Sequence, residues 1–175
     1  MRSSNLTWLL SAIYASPRLV ERRILWENLK TMAHLHNLPW LMLGDFNEVL
    51  CNDDKFRGNH VNLNRALEFK DCLDECNTVD LGFVGPKFTW TNRRPISSLI
   101  LERIDRFFAN PWRILYLEAL VTHLPRTFSD HYPILIELCR VSVNQHNKPF
   151  RFQTMWLFHQ DFPRVVQQAW IDRVL

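Results

Sequence analysis

Leu38-Pro39-Trp40-Leu41-Met42-Leu43-Gly44-Asp45-Phe46-Asn47 is an apolar run that ends abruptly in a polar tetrapeptide. Trp40 to Leu43 reads as a strand buried on both faces, and Gly44-Asp45-Phe46-Asn47 is the point where it surfaces. A second island, Ser129-Asp130-His131, sits just before the apolar run Pro133-Ile134-Leu135-Ile136. A carboxylate and its polar neighbour at the end of a buried strand is how an α/β scaffold presents metal ligands and acid/base groups at one rim. Two such rims, far apart in sequence, can converge on one site.

Upstream of the first strand, Leu6 to Ala15 reads as another strand buried on both faces. Ser16-Pro17 then reads as a helix start, with Ser16 as N-cap and Pro17 at the first helical position. Val20, Ile24, Leu25, Leu29, Met32 and Ala33 fall on one face at helical spacing, with Arg22, Arg23 and Lys30 elsewhere, and Asn37-Leu38-Pro39 ends the helix. Strand, helix, strand in this order predicts a parallel pair joined by a crossover. The start Met1-Arg2 followed by Leu6 to Ala15 also has the outline of a signal peptide. Thr7, Ser11 and Tyr14 interrupt the run and Trp8 is bulky, so the strand reading is taken, and the chain is expected in the nucleus or cytoplasm and not secreted.

Downstream, residues 51–61 read as a polar loop. Asn62 caps a helix whose inner face is Ala66, Phe69, Leu73 and Cys76. Val79 to Phe83 reads as extended and Phe88 to Thr91 as β-type, followed by the basic turn Asn92-Arg93-Arg94-Pro95. Ser98 to Phe108 reads as one strand, Pro111-Trp112 starts a short helical piece, and Glu118 to Leu124 and Tyr132 to Leu138 are two further strands. Three parts are expected: residues 1–140 as a folded domain, 141–153 as a linker, and 154–175 as an amphipathic helical tail.

Composition bounds these readings. The 175 residues are 47% hydrophobic and 22% charged, which suits one domain and excludes a disordered tail. The net charge of +3 tilts weakly toward anionic partners such as nucleic acid. Cys51, Cys72, Cys76 and Cys139 form no C-x-x-C pair, which excludes a zinc ribbon and suits reduced thiols. No run is long enough for a transmembrane helix.

Phosphodiester hydrolysis needs an activated water, a cation against developing charge, and help for the leaving oxygen. Mg²⁺ prefers oxygen ligands and keeps several waters, so carboxylates on loops suit it. In that chemistry Asp45 can hold or deprotonate a water, and Asn47 can orient that water or a phosphate oxygen. His131 can bind a phosphoryl oxygen or act as acid/base, with Asp105 of Arg103-Ile104-Asp105-Arg106 fixing its tautomer. Asp130 can contact metal directly or through water. Taken singly, each motif is also an ordinary turn or capped loop, and the arginines an ordinary salt-bridge ladder; their order along the chain makes them specific.

Tyr14-Ala15-Ser16, Gly44-Asp45-Phe46-Asn47, Phe88-Thr89-Trp90-Thr91-Asn92, Arg103-Ile104-Asp105-Arg106 and Ser129-Asp130-His131-Tyr132-Pro133 together resemble the ordered motifs of the endonuclease/exonuclease/phosphatase (deoxyribonuclease I-like) family. The wording is similar to the endonuclease domain of plant LINE-type retrotransposons, and Lys148 to Phe152 with Met155-Trp156-Leu157 resembles the lead-in to a reverse transcriptase. The resemblance implies a four-layer α/β/β/α sandwich and nicking of DNA with Mg²⁺ or Mn²⁺. It implies Tyr14 as a phosphate contact, Asp45 as the water-activating aspartate and Asn47 as its partner. Asp105 would orient His131, and His131 would contact the scissile phosphate. Asp130, with Asp45, would belong to the metal-side carboxylates, while Asn92, Arg93 and Arg94 would meet the DNA backbone. The family's W-N-x-R-G and E-T motifs do not occur here, and Glu21, Glu27 and Glu48 stand in the wrong context to replace the family's metal-binding Glu. The resemblance therefore implies the C-terminal two-thirds of such a domain, with N-terminal strands missing and hydrolysis impaired. The alternatives are a nucleic-acid-binding remnant without activity and a phosphatase or lipid phosphodiesterase of the same fold.

Overall fold

The computed structural model describes residues 7–110, 112–138 and 162–171. The chain divides into two compact units, residues 1–140 and 141–175. In the second unit the described element is a helix, Phe162–Ile171, within the expected helical tail. The expected linker at 141–153, the remainder of that tail, Pro111 and Cys139 lie outside the described residues. Among the described residues no helix is long and apolar enough to cross a membrane.

The first unit is built on the predicted crossover. Strand β1 (Leu9–Tyr14) runs into helix α1 (Leu19–Leu35) and returns as β2 (Trp40–Asp45), parallel to β1. Two more strands, β4 (Val79–Asp80) and β7 (Asp105–Ala109), complete a four-stranded sheet in the order β1-β2-β7-β4. A second sheet joins β3 (Lys55–Phe56), β6 (Leu101–Glu102) and β5 (Trp90–Thr91) in the order β3-β6-β5. The pair β8 (Leu120–His123) and β9 (Ile134–Glu137) forms an antiparallel ribbon after the short helix α3 (Trp112–Leu115).

Strand β2 sits between two cores, as its unbroken apolar run predicts. Trp40 and Met42 face one core with Phe108 of β7, Trp26 and Leu29 of α1, and Phe69, Cys72 and Leu73 of helix α2 (Leu63–Glu75). Leu41 faces the other core with Phe107, Ala109, Trp112 and Val121, where Leu43, Ile134 and Ile136 also pack. A helical layer, a central sheet and a further β layer thus follow one another in a mixed α/β arrangement.

Four sequence readings change. Strand β1 is not buried on both faces: its exposure alternates, and Leu10 and Tyr14 are largely open because β1 is the edge of its sheet. Ser16 does not cap α1; the helix begins at Leu19 behind Arg18, and the Ser16 hydroxyl accepts the Arg18 N–H in the preceding turn. The buried stripe of α1 is Arg22, Trp26 and Leu29, whereas Val20 and Ile24 are exposed. Arg22 turns inward because a buried carboxylate, Glu48, meets it there. Finally, Ser98 to Phe108 is not one strand. The Arg103 N–H donates to the Asp54 carbonyl and the Ile104 N–H to the Thr89 hydroxyl, so pairing lapses between β6 and β7 and the chain crosses from one sheet to the other. The loop at 51–61 also carries a single 3₁₀ turn (Asn52–Asp54) and β3. Helix α2 follows the prediction, with the Asn62 side chain accepting the Arg65 N–H and Ala66, Phe69 and Leu73 inward.

Candidate active site

Sheet register assembles the first part of the site. Tyr14 is the neighbour of Asp45 across the parallel β1–β2 pair, and Asp45 is the neighbour of Asp105 across the antiparallel β2–β7 pair. The three residues therefore form a transverse row at one end of the sheet. Gly44 allows β1 and β2 to approach there: its φ is +129°, and a Cβ at that position would lie 2.0 Å from the Ile13 carbonyl oxygen.

Asp45 is nearly buried and its carboxylate is held by the next turn. The Asn47 N–H donates to Oδ1 at 2.8 Å, and Asn47 Nδ2 donates to Oδ2 at 3.2 Å and to the Ala15 carbonyl at 3.1 Å. Asn47 reaches back because its backbone is left-handed, with φ of 51°. Burial, with the Asp105 carboxylate adding to it, pushes the Asp45 carboxyl up to about 6 against the hydrogen bond from Asn47.

His131 comes from the second island. It bridges to Trp90 of β5, and the Tyr132 N–H donates to the Thr89 carbonyl at 2.7 Å, which places the island along the second sheet. His131 Nδ1 lies 3.0 Å from Asp105 Oδ2 and 3.2 Å from Oδ1. That hydrogen bond raises the imidazole above its ordinary value, over the opposing effect of partial burial. It also assigns the tautomer: Nδ1–H faces Asp105, and Nε2 is the outward nitrogen. Asp105 thus joins the two halves, beside Asp45 in one sheet and against His131 from the other.

The remaining predicted residues have different surroundings. Tyr14 is 80% exposed at the end of β1. Asp130 is exposed; its own backbone N–H holds its carboxyl below the usual range, and Trp90 Nε1 donates to its Oδ2 at 3.2 Å. Asn92 organises its own loop: Oδ1 accepts the Arg94 and Ile100 N–H groups, and Nδ2 donates to the Ser98 carbonyl. Arg93 donates to the Phe128 carbonyl, while Arg94 is exposed. Among the described residues no group of three or more His, Cys, Asp or Glu side chains is arranged to hold a metal ion.

Three supporting features have partners that the sequence reading does not name. Glu48, only 4% exposed, accepts Arg22 Nη2 at 3.0 Å and Arg65 Nε at 2.9 Å, tying the loop after Asn47 to both helices. The buried Thr89 hydroxyl accepts the N–H groups of Ile104 and Asp105 at 3.1 and 3.0 Å. Arg103 and Arg106 meet Asp80, and Arg106 also meets Asp54, around the segment that carries Asp105. Glu48 follows Asn47 directly and Thr89 lies within the Phe88–Asn92 motif, so position is a signal of a kind for both.

Comparison with known proteins identifies the family. Residues 5–131 match the Endonuclease/Exonuclease/phosphatase family, and the chain belongs to it. Among solved structures it is similar to the endonuclease domain of TRAS1, a telomere-specific non-LTR retrotransposon, at 14% identity and a TM-score of 0.51, over 75% of this chain and 56% of that one. A beta toxin from Staphylococcus aureus matches at 20% identity and a TM-score of 0.47, over 75% of this chain and 50% of the toxin. The chain thus spans about half the length of these structures. No curated protein matches it.

Proposed function

We propose that this chain hydrolyses phosphodiester bonds of DNA in a reaction that uses a divalent cation, Mg²⁺ or Mn²⁺. The observation that carries the reading is the Asp105–His131 pair at 3.0 Å, directly across the sheet register from Asp45. Asp45, positioned by Asn47 at the sheet rim, takes the proton of the attacking water. Asn47 holds both oxygens of that carboxylate in place. His131, oriented through Nδ1, presents Nε2 as a donor to a phosphoryl oxygen, and Asp105 stabilises the imidazolium. Tyr14, in the same row, contacts the phosphate from the exposed side.

The donor set fits a cation held jointly with substrate. Mg²⁺ is commonly bound by one or two carboxylates plus phosphate oxygens, and Asp45 is a buried carboxylate whose charged form a cation would favour. Asp45 would hold it, with Asp130 on the exposed side through water, and the cation would neutralise charge on the phosphate. Arg93 and Arg94 are sequence-independent backbone contacts in this reading, whereas Asn92 serves by shaping their loop. The parent of the chain would be a retroelement whose reverse transcriptase domain uses the nicked end, acting in the nucleus or cytoplasm. The test is conversion of supercoiled plasmid to open circles by the full chain in Mg²⁺, with EDTA as control. Metal-dependent nicking is expected, impaired by the lack of the family's metal-binding Glu. Binding without nicking would favour a nucleic-acid-binding module, and hydrolysis of phosphomonoesters alone would favour a phosphatase.

A further inference from the structure

Phe128 is 95% exposed, more than any other large apolar side chain among the described residues. A single apolar residue in water is ordinary on a protein surface. The placement of this one is not. It immediately precedes Ser129-Asp130-His131, and its backbone is fixed from two sides. Arg93 donates to the Phe128 carbonyl, and Arg126 Nη1 donates to the Ser129 carbonyl at 3.0 Å. Ser129 Oγ accepts the His131 N–H at 3.0 Å, and the Asp130 carbonyl accepts the Thr91 N–H at 3.0 Å. The ring therefore stands in solvent on a pinned backbone, three residues from the imidazole of the candidate site.

A neighbouring loop repeats the device. Ile96, in the 3₁₀ turn Ile96–Ser98 beyond Arg93 and Arg94, is 77% exposed, and its carbonyl is held by Arg57. Apolar tips interleaved with guanidinium groups match the alternation of a nucleic-acid strand, whose bases offer π faces and whose phosphates offer charge.

We propose that Phe128 is a stacking platform for a nucleobase flanking the phosphodiester at His131, so that the chain prefers DNA in which that base is free to leave its stack. This rests on the DNA reading above and names the form of DNA it takes. Leaving a stack costs least at a mismatch or in a single strand. A matched duplex offers the ring no π face without that cost.

The test is binding of the full chain to fluorescently labelled DNA as a matched duplex, the same duplex with one mismatch, and a single strand. Wild type, Phe128→Ala and Phe128→Trp are compared across a series of salt concentrations. Wild type is expected to bind the mismatched and single-stranded forms more tightly than the matched duplex. Phe128→Ala is expected to lose about fivefold to a hundredfold on those two forms and little on the matched duplex. Phe128→Trp retains the preference, and the dependence on salt stays the same in all three proteins. Equal affinities of wild type and Phe128→Ala for all three DNAs would overturn the stacking role and leave the DNA reading standing. No binding of any DNA by wild type would overturn both.

Discussion

Asp45→Asn is expected to stabilise the fold while disabling the site. Asp45 is 8% exposed, and its carboxyl is raised from 3.8 to about 6 mainly by burial. Below the ordinary value the carboxyl is protonated in both folded and unfolded chains, and the shift has no effect. Between that value and about 6 the folded chain binds more protons than the unfolded one, so stability falls as pH rises, and above about 6 the full cost applies. A shift of this size corresponds to about 3 kcal/mol. Asparagine removes the charge but not all of the geometry. One amide oxygen can accept the Asn47 N–H, whereas the new NH₂ group faces the Asn47 Nδ2 that formerly donated to Oδ2. Losing that bond costs about 1 kcal/mol. The net gain is on the order of 2 kcal/mol at pH 8, shrinking toward zero or below near pH 4. Urea unfolding of both proteins at the two pH values measures it. A variant less stable than wild type at pH 8, or a difference that does not change with pH, would refute the assignment of Asp45 as a carboxylate destabilised by burial.

Three further outcomes follow from the same geometry. Asp105→Asn removes the main cause of the raised His131 value, so the imidazole should titrate closer to 6.5 by NMR. The alkaline limb of the pH–rate profile should move down with it, and an unmoved resonance would contradict the pairing. Glu48→Gln leaves Arg22, which is 1% exposed, without its charge partner, and should cost about 3 kcal/mol or more in urea unfolding. A cost under about 0.5 kcal/mol, the scale of an ordinary surface substitution, would show that Arg22 finds water instead. Gly44→Ala places a Cβ where the Ile13 carbonyl lies and should abolish cooperative unfolding, since neither β1 nor β2 can yield without opening the sheet. An unchanged thermal midpoint would refute that close approach.

The sequence made strand β2 legible on its own, because a strand packed on both faces must be apolar at every position, and Trp40 to Leu43 has that property. It also made the Asp105–His131 pair legible, but only through the order of the motifs, since 26 residues separate the partners. Where the reading failed, a distant partner had changed the local rule. Arg22 counts as outward by periodicity, yet Glu48 brings it inside. Ser98 to Phe108 alternates well enough for one strand, but the Asp54 carbonyl and the Thr89 hydroxyl take the N–H groups at Arg103 and Ile104. Leu10 reads as a core residue until the sheet order shows that β1 is an edge strand with one face open.

The most direct test of the account is the rate at which supercoiled plasmid is nicked by wild type and by His131→Ala under the same Mg²⁺ concentration. If His131, held by Asp105 beside Asp45, acts on the scissile phosphate, the substitution should slow nicking by about a hundredfold or more. Rates within twofold of each other would contradict it.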